Sequence, residues 1–141
     1  KYKNIVITAD GISYALAKEA CLKIKETSYL NVVASILGEF MHGHVAVLNN
    51  KSALLHISVN DLSYTAIKNL NKIIDDYNPP VCIIGNSNEK VNTKFNINIE
   101  IESELIKSFA VIVICQLLAL EIATCLKRNV DKPRGLHKVV V

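Results

Sequence analysis

The chain has 141 residues, half of them apolar and 21% charged, which fits one packed domain and excludes wholesale disorder. Its net charge is only +3, with no Trp and three scattered Phe, so it lacks the basic stripe interleaved with aromatics that a nucleic-acid binder presents. Cys21, Cys82, Cys115 and Cys125 form no C-x-x-C pair and each sits in an apolar run, the pattern of reduced, buried thiols in a cytoplasmic protein rather than of disulfides or metal ligands.

The β-branched run KNIVIT (3–8), ended by Asp10-Gly11, predicts a strand and a turn. Leu16, Ala17, Ala20, Cys21 and Ile24 then recur at helical spacing, predicting a helix over 13–28. Residues 31–50 show no clear period; a loop and a short helix around 38–47 are expected. SALLHISV (52–59) predicts a second strand. Asp61 or Ser63 can cap a helix running to about Tyr77, with Ile67, Leu70, Ile73 and Ile74 facing inward. Pro79-Pro80 ends it, and VCIIGN (81–86) predicts the third strand.

The Asn-rich stretch 86–96 reads as a loop, and FNINIEI (95–101) alternates as an edge strand does. A long helix is expected over 104–127. Glu102 and Glu104 at its start and Lys127 and Arg128 at its end complement the helix dipole. Its apolar centre, FAVIVICQLLALEIATCL (109–126), reaches the lower length limit of a membrane span but carries Gln116 and Glu121. That favours a helix buried inside the fold or between subunits, and no membrane association is expected. Pro133 and Gly135 make 128–141 an irregular tail.

Strands alternating with helices predict an α/β three-layer sandwich. Its parallel sheet has about four to five strands, with helices on both faces in a flavodoxin-like arrangement. Ligands of such sheets collect at the carboxyl ends of the strands, and the Asp10-Gly11 turn is one such place. No G-x-G-x-x-G follows the first strand, so no dinucleotide cofactor is expected.

Glu19, Lys23 and Glu26 are spaced i, i+4, i+7 and share one side of the first predicted helix. Taken alone they read as an ordinary salt-bridged face. His42, inside GEFMHGHVAVL (38–48), and Lys138 in the tail add two more able groups from two other segments. A carboxylate can take a proton from carbon beside a carbonyl, and an ammonium can stabilise the oxyanion that results. A histidine moves protons near neutral pH, and a second lysine can form a Schiff base. Together these suit aldose–ketose isomerisation.

Other constellations are weaker. His42-Gly43-His44 has no nameable third and fourth partner, so no metal is expected. His56 is a packed or surface histidine in mid-strand. No serine stands in a nucleophile-elbow context. The basic cluster Lys127, Arg128, Lys132, Arg134 and Lys138 suits a small anion such as a sugar phosphate.

Three motifs stand in order: L-K-x-K-E at 22–26, G-E-x-x-H-G at 38–43 and D-x-P-R-x-L-x-K at 131–138. With them the whole chain resembles the second SIS (sugar isomerase) domain of the glutamine–fructose-6-phosphate aminotransferase and phosphosugar isomerase family. The resemblance implies a single SIS domain over 1–141, the C-terminal half of a two-SIS unit, with 128–141 as a lid. It implies Glu26 as the base shuttling a proton between sugar C1 and C2, and Lys23 as its assistant at the same oxygens. It makes His42 the ring-opening group that reaches a neighbouring subunit's site, and Lys138 the Schiff-base amine. Glu39 would hold the His42 segment, while Glu19, Gly11 and Arg134 would contribute to sugar-phosphate binding. A homodimer, or pairing with a first SIS domain, is implied as well.

The chain departs from the family at several points. His44 stands where Pro usually follows H-G, Gly135 and His137 stand in a tail that typically reads P-R-N-L-A-K, and Asp10 replaces a frequent Arg. No S-x-S-G-x-T/S phosphate loop occurs, nor any match to a glutaminase domain. Two other readings therefore stay open: a phosphosugar deglycase, suggested by Gly135, and a non-catalytic sugar-phosphate-binding and dimerisation module.

Overall fold

The computed structural model describes residues 2–135. Its elements in chain order are β1 (Asn4–Ala9), α1 (Ser13–Ser28), β2 (Asn31–Ile36), α2 (Leu37–Met41), a 3-10 turn (His44–Val47), β3 (Ser52–Ser58), α3 (Tyr64–Tyr77), β4 (Val81–Gly85), β5 (Phe95–Asn98) and α4 (Glu104–Cys125). The strands form a five-stranded sheet of order β2-β1-β3-β4-β5, and every neighbouring pair is parallel. The expected α/β layering is therefore present.

Period-two alternation sends neighbouring strand residues to opposite faces. Ile5, Ile7, Ile57 and Ile84 pack with Ala17, Ala20, Cys21 and Ile24 of α1 and with Val111, Cys115 and Ala119 of α4. Val6, Leu54 and Ile83 pack the other face with Leu37 and Phe40 of α2 and Ala66, Leu70 and Ile73 of α3. The α1–α4 seam is built from small side chains, which lets the helices approach closely, and Thr27 Oγ1 donates to the Ala119 carbonyl across it (3.4 Å).

Two expectations need correction. Residues 31–36, expected as loop, form the edge strand β2, registered Asn4↔Asn31 to Ala9↔Ile36. Its mixed burial, with Val33 and Ile36 exposed, erases the alternation that a half-buried strand shows in sequence. The cysteines are free, but only Cys21 and Cys115 are buried; Cys82 is half-buried and Cys125 is exposed.

The helix ends follow from local chemistry. Ser63 caps α3 by accepting from the Ala66 N–H (3.1 Å), and Ser103 does the same for α4 from Ile106 (3.4 Å). α4 closes with Lys127 at φ 55. The Lys127 N–H donates to Thr124 and the Arg128 N–H to Ala123 (both 2.9 Å), a left-handed closure that satisfies carbonyls the helix leaves open.

Candidate active site

β1 delivers the chain to the Gly11 turn, where φ is +54, and α1 then runs back antiparallel to the strands. Glu26 therefore lies about 20 Å down the helix axis from Ser13, at a rise of ~1.5 Å per residue. Near that end Lys23 Nζ stands 3.3 Å from Glu26 Oε2 and 3.5 Å from Glu19 Oε1. The three side chains are partly exposed, at 24% for Glu26, 34% for Lys23 and 40% for Glu19. The Lys23 amine is shifted up, first by its hydrogen bond to Glu26; burial opposes this next, and the charges of both carboxylates add to the rise. It is held as an ammonium, a poor nucleophile and a good partner for a developing oxyanion.

Lys23 also lines a cavity of about 220 Å3 with Thr27, Gln116, Ala119, Leu120 and Val130. The tail thus crosses beside this pair: Val130 follows the closing turn of α4 and walls the cavity. Beyond it, the Asn129 side-chain oxygen accepts from the N–H groups of Asp131 (3.0 Å) and Lys132 (3.3 Å). The Arg134 N–H then donates to the Tyr29 hydroxyl (2.8 Å). The guanidinium carbons of Arg134 and Arg128 lie 4.7 and 5.2 Å from the centroid of the Tyr29 ring.

The structure thus brings Glu19, Lys23 and Glu26 together, with Arg134 on the tail near the same end of α1. Gly11 and Glu19 share a different, larger cavity of about 890 Å3 between α1 and the β2 edge, and Gly11 is not brought to the Lys23–Glu26 pair. Glu39 and His42 follow β2 at the opposite end of the sheet, both exposed. The Glu39 carbonyl accepts the His42 N–H (3.0 Å), and its carboxylate forms no ion pair or hydrogen bond among the described residues. Gly43, at φ +120, is the glycine this turn demands; Gly38 has an ordinary backbone. Lys138 lies outside the described residues.

Asp10 accepts a hydrogen bond from the Leu37 backbone N–H, and partial burial outweighs that bond and raises its carboxyl above the usual range. It is tied to the start of α2, at the end of the sheet away from Glu26. Sequence reasoning missed Tyr29, Gln116 and Val130. Tyr29 carried a signal: a lone aromatic three residues after L-K-x-K-E, in a chain whose tail is rich in arginine and lysine.

The SIS domain family matches residues 1–125. The glutamine–fructose-6-phosphate aminotransferase (isomerizing) of Methanococcus maripaludis is 35% identical over 98% of this chain. The chain spans 23% of that protein's length. Among solved structures, the C-terminal domain of glucosamine-fructose-6-phosphate aminotransferase from Francisella tularensis superimposes with a TM-score of 0.82, at 20% identity, over 94% of this chain and 38% of that one. Tagatose-6-phosphate ketose/aldose isomerase from Escherichia coli does so with a TM-score of 0.75, at 20% identity, over 89% of this chain and 36% of that one. The five-stranded parallel sheet and its covering helices agree with these matches, and the family match spans most of the sequence: the chain belongs to the SIS domain family.

Proposed function

We propose that this chain is the catalytic half of a phosphosugar aldose–ketose isomerase. The observation that carries the proposal is the Lys23–Glu26 pair, partly exposed and 3.3 Å apart, beside a cavity walled by the C-terminal tail. Glu26 takes the proton from C1 of the open-chain ketose phosphate, and the electrons of that bond form the C1–C2 double bond of an enediolate. The Lys23 ammonium stabilises the charge on oxygen, and the same carboxyl returns the proton to C2. The carbon-bound proton passes from C1 to C2, the O1 hydroxyl proton passes to O2, and no co-reactant is consumed. Before the proton transfer Lys138, on the 128–141 segment, supplies the amine for a Schiff base at C2 of the ketose, which releases water; water then hydrolyses it back to the C2 carbonyl and the free amine, and Arg134 adds positive charge for the phosphate.

His42 is carried at the opposite end of the sheet from Glu26, so one chain does not complete this set by itself. We assign His42 to ring opening in a neighbouring chain's site, and α4 to the pairing surface. Its Ile106, Phe109, Val113, Leu117 and Leu120 are exposed and recur at three- and four-residue steps along one stripe. α4 is long and apolar enough to cross a membrane by length and composition, with 22% of its apolar stretch buried; the small-residue seam with α1 supports the pairing role. The same exposed stripe supports a second reading, a dimerisation module that binds sugar phosphate without turning it over.

Interconversion of fructose 6-phosphate and glucose 6-phosphate by the full-length protein separates the two. Glu26→Gln keeps the shape and removes the base, so kcat falls by roughly 10²–10⁴ with KM little changed. An active protein whose rate survives the substitution has another base.

A further inference from the structure

We propose that Tyr29 is the docking post of the C-terminal segment, the positioning residue that holds the Val130 wall of the cavity against Lys23 for turnover. The second half of this statement rests on the isomerase reading above; the first half does not. Tyr29 sits at the C-cap of α1 in the left-handed conformation, φ 62, with its N–H donating to Lys25. A non-glycine residue is uncommon there and costs energy, so something other than the helix end favours a tyrosine.

What the ring gains is the tail. α4 closes so that Arg128 follows directly on a left-handed residue, and the guanidinium carbon of Arg128 comes 5.2 Å from the ring centroid. The Asn129 turn reverses the chain, Pro133 stiffens it, and Arg134 returns to the same ring at 4.7 Å. Its backbone N–H completes the clamp on the phenolic oxygen at 2.8 Å. A phenol thus offers both a π-face for cations and an acceptor for an amide at one spot, three residues from Glu26. Val130 stands between the two arginines in the chain, so the clamp at both ends fixes the cavity wall beside Lys23. Moving the anchor moves that wall.

The test uses the full-length protein with Tyr29→Phe, which keeps the ring, and Tyr29→Leu, which removes it. Amide hydrogen exchange by mass spectrometry reads the clamp directly. Tyr29→Phe should speed exchange at Arg134 by roughly tenfold and leave the Arg128 amide, held by Ala123, unchanged. Tyr29→Leu should speed exchange across 129–134. Kinetics read the positioning: for Tyr29→Leu, kcat for hexose-phosphate isomerisation drops about tenfold or more with KM within about threefold and the thermal midpoint unaltered, and Tyr29→Phe recovers most of it. Exchange over 129–134 that is identical in wild type and Tyr29→Leu overturns the docking post. Faster exchange with unaltered kcat overturns the positioning role alone. A wild-type protein without isomerase activity overturns the isomerase reading and the positioning role with it, while the exchange data still decide the post.

Discussion

His56 is 1% exposed and its Nδ1 lies 3.0 Å from Thr8 Oγ1. Burial alone lowers its pKa from 6.5 to about 4. Between those values the unfolded chain binds a proton that the folded chain refuses, so stability from this residue is complete above about pH 6.5 and is lost as pH falls toward 4. The amount is at most about 3 kcal/mol, from ~1.4 kcal/mol per unit. Urea unfolding at pH 7.5 and 4.5 should show a smaller pH effect in His56→Asn than in the wild type; equal slopes would place the titrating group elsewhere. Gly85 is a second residue-scale constraint. At φ +113 a Cβ would run into the Ser58 carbonyl oxygen, which already accepts the Asn86 N–H (2.7 Å). Gly85→Ala should cost roughly 3 kcal/mol or more by a strained backbone plus a clash, visible as a lowered thermal midpoint. Neither constraint was legible in the sequence. His56 looked like any strand histidine because its burial depends on α2 and α3, and Gly85 looked like the end of an apolar run because its neighbour Ser58 is distant in sequence. Glu19, Lys23 and Glu26 were legible because helical spacing fixes their company without any tertiary information.

Elements were more readable than residues wherever one period dominated. α1 starts and stops where its stripe predicts, and α3 begins at the Ser63 cap and ends before Pro79-Pro80. β2 escaped because an edge strand packed on one neighbour, Val32 inside and Val33 outside, leaves only fragments of a pattern. α4 was legible as an element and ambiguous as a surface. Apolar on nearly every side, it announces two contacts; the structure assigns one of them, Val111, Cys115, Ala119 and Ala123 against α1. The other stripe belongs to the proposed pairing of two chains. An antiparallel two-fold arrangement would also set Glu102 and Glu104 of one helix toward Lys127 and Arg128 of the next. Leu117→Glu, a change at an exposed position, should leave circular dichroism unchanged and halve the mass seen by sedimentation. A mass that stays put would remove α4 from the interface.

For the whole molecule, direction matters most. Parallel strands all point one way, and the helices that return between them carry their last residues to the other end. The residues read together in the first helix stay together, and the His42 segment, joined to the same sheet through β2, ends at the opposite pole. Sequence motifs pointed to candidate site residues but not to this polarity, since polarity exists only once crossovers are formed. The same topology bears on how the chain is made. The sheet face bearing Ile5, Ile7, Ile57 and Ile84 is shared between α1 and α4, and α4 follows all five strands in the chain. Until residues 111–123 emerge, a nascent chain with every strand already synthesised still shows an uncovered greasy flank. During that interval, premature release or stalled translation leaves a sticky half-product, and holdase chaperones that grip apolar surface have their natural window.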